Sequence, residues 1–87
     1  MVSMSMQKIH DALVDAIGKT LDRVFVAERG NERCQLYLVF SDGTSYELYG
    51  NSSLNGARHV ENWSADSIRR QLSDDGFTFI EIPRPDA

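Results

Sequence analysis

At Leu21 the hydrophobic period of this chain changes from that of a helix to that of a strand, and this change restricts its possible folds more than any other feature. Before it, residues 6–17 set Met6, Ile9, Leu13, Ala16 and Ile17 on one helical face and Lys8, Asp11, Asp15 and Lys19 on the other. Ser3 or Ser5 can accept from the free amides of the first turn, Gly18 can turn left-handed at the end, and Asp15 stands four residues before Lys19 in the order that favours an ion pair. After it, β-branched and aromatic residues alternate through Val24-Phe25-Val26, Cys34 to Phe40 and Thr44 to Tyr49. A helix followed by three strands in short succession requires an antiparallel meander.

The Phe40-Ser-Asp-Gly-Thr44 connection sets the register. A two-residue turn would pair Leu38 with Glu47, whereas a three-residue loop with a left-handed Gly43 pairs Leu38 with Tyr46 and Leu36 with Leu48. The second choice keeps the faces consistent: Leu36, Leu38, Phe40, Tyr46 and Leu48 on one, Gln35, Tyr37, Val39, Ser45, Glu47 and Tyr49 on the other. The first is expected to meet the helices. Residues 50–63 show no clear period and are read as a long loop that is functional or conceals a short element. Ser64 caps a second helix with Ala65, Ile68 and Leu72 on one face, Gly76 lies past its end, and Phe77 to Ile82 is a last strand stopped by Pro83. Val24-Phe25-Val26 is apolar on both faces, so the first strand should be interior, with the last strand beside it. The expectation is a two-layer α+β fold, with a small curled β-barrel as the alternative. An 87-residue chain suits one small domain over 1–87, its ends 1–4 and 83–87 loose, and no apolar run approaches the roughly 20 residues of a membrane span.

Residues capable of chemistry are few. His10 borders the first helical stripe, and Cys34 at a strand start reads as a small inward apolar residue. Joining His10, His59 and Cys34 in a zinc site would bring together three distant segments without a short ligand pair. Asp74-Asp75 precedes Gly76 in an apparent solvated turn, and no glycine-rich phosphate loop is present. No catalytic set, metal or cofactor is therefore expected. Positive charge gathers at Arg58, His59, Arg69 and Arg70, beside Trp63, which makes a nucleic-acid-associated protein one alternative. Against it, 13 acidic residues face 9 Lys and Arg, for a net charge of −4, and Asp66 stands three and four residues before the two helical arginines.

The remaining feature is the second sheet face. Tyr37, Val39, Glu47 and Tyr49 form an amphipathic, aromatic surface of the kind found at interfaces. Two short helices on the opposite face would leave it open. The leading expectation is a non-enzymatic protein-interaction module that uses this face on a protein partner or as a homodimer. No nucleic-acid, membrane or metal partner is expected. Small size alone suggests an accessory or inhibitory protein of a bacterium or mobile element, and the lone cysteine and absent secretory signal suggest the cytoplasm. A small enzyme with an unrecognised site ranks last.

Overall fold

The structure, a computed structural model, describes residues 3–30, 33–51, 54–60, 64–83 and 85. Helix α1 (Met4–Leu13) runs into a 3-10 turn at Val14–Ala16; strands β1 (Leu21–Arg29), β2 (Arg33–Phe40), β3 (Ser45–Gly50) and β4 (Leu54–Val60) follow; helix α2 (Ala65–Asp74) and strand β5 (Thr78–Ile82) complete the chain. The five strands form one antiparallel sheet in the order β4-β3-β2-β1-β5. The fold is α+β with an open sheet, which removes the barrel alternative.

Local chemistry accounts for the boundaries. The Ser3 hydroxyl accepts from the Met6 amide and the Ser64 hydroxyl from the Ser67 amide, each satisfying a first-turn donor. In the β2-β3 loop Gly43 adopts φ +90°, its amide donates to the Phe40 carbonyl, and the pairs Leu38 with Tyr46 and Leu36 with Leu48 form as the three-residue loop requires. Asp42 fastens this loop: its carboxylate accepts from the Thr44 amide, the Thr44 hydroxyl and Lys19, and these contacts hold it well below the usual carboxylate range. Lys19 is thus drawn to the hairpin and does not form the expected pair with Asp15.

Two differences from the expected architecture matter for function. The meander has a fourth strand, β4, at the sheet edge within the stretch read as a loop, and α1 lies against it. The two sheet faces are also exchanged. Ile68 and Leu72 of α2 pack on Phe25, Ala27, Tyr37 and Val39, with Phe77 closing the same core. The α2-covered face is therefore the one expected to be open. Burial of its polar members is possible because each finds a partner: the Tyr37 hydroxyl donates to Glu47 over 3.0 Å, and the Ser45 hydroxyl donates to the Val60 carbonyl. On α1, Met6 and Ile17, assigned to its inward stripe, are exposed.

Candidate functional site

Cross-strand pairing resolves each sheet face into rows. Under α2 the central row runs Glu81, Phe25, Tyr37, Glu47, Arg58, and a second runs Phe79, Ala27, Gln35, Tyr49, Gly56. Of the expected partner surface, Tyr37 is 2% exposed, Glu47 5%, and Val39 is also buried; Tyr49 alone remains half-exposed. The proposed open surface is thus core at three of four positions. Its outer end forms a cleft of about 350 Å³ lined by Arg33, Tyr37, Glu47, Tyr49, Arg58 and Asp75. The arrangement is self-neutralising. Arg58 donates to Glu47 over 3.2 Å, and burial, followed by the Glu47 charge, raises the Tyr37 phenol far above its ordinary range and keeps it protonated. Tyr49 lies across Gly56, where a Cβ would meet its hydroxyl at 2.6 Å.

The expected basic region does not assemble into one surface. Arg58 and His59 are neighbours in a strand and point to opposite faces; His59 stacks on Tyr46, with ring centroids 4.8 Å apart. Arg69 is engaged by Glu81 through two 2.6 Å hydrogen bonds and by Asp66, and Arg23 binds the same Glu81 carboxylate at 2.6 Å. Hydrogen bonding to Arg69 first, and to Arg23, holds the Glu81 carboxyl below its ordinary value. Arg70 is exposed on α2, and Trp63 lies outside the described residues. His10 is exposed beside Asp11, Asp74 and Asp75 are exposed at the end of α2, and Cys34 is exposed on the face away from α2. Among the described residues no three His, Cys, Asp or Glu side chains gather as a metal set, and no helix is long and apolar enough to cross a membrane.

The face away from α2 is different in character. One of its rows, Ile80, Val26, Leu36, Leu48, Ala57, crosses all five strands without a polar side chain. The next is Ile82, Val24, Leu38, Tyr46, His59, and the third is Thr78, Glu28, Cys34, Gly50, Leu54. The Tyr46 end is closed by Phe40, His59 and Lys19, the last placing its ammonium 5.8 Å from the ring centroid. The remainder is open, with Val26 39%, Leu54 56%, Ile80 60% and Ile82 50% exposed. Between Val26, Leu36, Leu48 and Leu54 lies an apolar hollow of about 140 Å³. Sequence reasoning assigned Leu36, Leu38 and Leu48 of this face to the core; what it lacked was the side on which α2 docks. Comparison of the chain with protein-family models, with curated proteins and with solved structures finds no match.

Proposed function

We propose that this chain is a non-enzymatic protein-interaction module acting through the apolar sheet face away from α2. The observation that carries the reading is the uninterrupted row Ile80, Val26, Leu36, Leu48, with its protruding residues on β5 and its hollow on β2 and β3. Contiguous apolar surface of this kind is uncommon on a chain that works alone and characteristic of one that docks. The engaged arginines and the neutral cleft offer neither a phosphate-binding surface nor a positioned nucleophile. The test is retention of a partner from the native host by immobilised wild-type chain and by Ile80→Asp, which carries a charge into the face at an exposed position. A protein retained by the first and lost by the second is the expected result. Identical retention on both would overturn the assignment of this face.

A further inference from the structure

We propose that the occupant of the open face is a second copy of this chain, packed sheet against sheet about a two-fold axis that runs along the strands between β1 and β2. This rests on the interaction reading and names its partner. A two-fold operation about that axis reverses the row, so that Ile80 of one copy lies over Leu48 of the other and Val26 over Leu36. The protruding Ile80 then meets the hollow bounded by Val26, Leu36, Leu48 and Leu54, and the same contact is made twice. Knob and hollow on one face, placed symmetrically about a line between two strands, are the geometry that self-association requires.

Charge and area agree with this occupant. The chain carries −4 overall, yet Glu28 is the one carboxylate in the three rows of the open face, and it lies in the outermost of them. Two acidic molecules can therefore approach here without setting carboxylates opposite one another. The chain exposes 5904 Å², whereas a monomer of 9.8 kDa is expected to expose about 5,200 Å². The chain thus exposes more surface than a compact monomer of its mass, as one half of a dimer does. Apposition of two such sheets at about 10 Å, open face to open face, forms a sandwich with α2 of each copy on the outside.

The decisive measurements use the full chain. Light scattering over a concentration series should give twice 9.8 kDa at the upper end, and Ile80→Asp should give 9.8 kDa throughout with an unchanged circular dichroism spectrum. In an equimolar mixture of isotopically labelled and unlabelled wild-type chain, filtered NOE spectra should connect the Ile80 and Leu48 methyl groups. Within one chain these lie three strand spacings, about 14 Å, apart, so the cross-peak arises only between copies. A mass of 9.8 kDa at every concentration, a dimer indifferent to Ile80→Asp, or a dimer without the cross-peak overturns the proposal. A monomeric wild type whose host partner is still lost on Ile80→Asp would remove self-association alone and leave the interaction reading standing; one that retains no partner would remove both.

Discussion

Gly43 and Gly56 serve opposite purposes, and substitution separates them. At Gly43 nothing lies within 4 Å of a would-be Cβ, but the backbone is left-handed at φ +90°. Gly43→Val should therefore cost about 1–2 kcal/mol through backbone strain alone, read as a lower denaturant midpoint. At Gly56 the obstacle is the Tyr49 ring, so Gly56→Ala should be less harmful in a Tyr49→Ala background than in the wild type, a coupling that a double-mutant cycle measures. The Gly43 loop was legible in the sequence because one of its two registers placed an acid among apolar residues. The same logic misled at Glu47. A carboxylate and a phenol on alternate positions look like solvent groups when each is considered alone, and only their pairing across β2 and β3 makes the Tyr37 face fit to be covered.

Among the elements, β4 was hidden because its apolar residues Leu54, Ala57 and Val60 recur every third position and match no strand pattern. As an edge strand bordered by α1, with Tyr49 laid over its glycine, it needs no regular alternation. The second helix was legible from its cap and stripe, but its attachment was not. Beyond Ile68 and Leu72, α2 is tied to β5 and β1 by Arg69, Glu81 and Arg23, groups more than fifty residues apart at the extremes. Because the folded Glu81 carboxyl titrates below its unfolded value, its stabilisation is complete above the ordinary carboxylate range near pH 4.5 and is lost as pH falls through the lower folded value. Glu81→Gln should accordingly be less stable than wild type at pH 7, with the gap closing as pH falls below about 4. Urea titrations at a series of pH values measure the gap directly, and a constant gap would contradict the linkage.

For the molecule as a whole, the sequence supported the α+β class and the placement of the last strand beside the first, because Val24-Phe25-Val26 demands neighbours on both sides. It did not reveal which face α2 would choose, since the polar members of the Tyr37 face look solvent-facing and the choice depends on long-range packing of Phe25 and Phe77. The resulting stability should be uneven. Amides of β1 and β2, each flanked by strands on both sides, should exchange with solvent most slowly, and those of α1, in which no described side chain is fully buried, fastest. Residue-resolved hydrogen exchange tests this, and protection of α1 equal to that of β1 would refute it. The pairing of β1 with β5 also bears on the order of folding. Glu28 meets Thr78 fifty residues further along the chain, a closure that costs about 2 kcal/mol more than a five-residue hairpin. The hairpins β1-β2 and β2-β3 can therefore zip while the C-terminal third is still being synthesised. Strand β5 arrives last, as a latch, and until it does the outer edge of β1 has no partner strand.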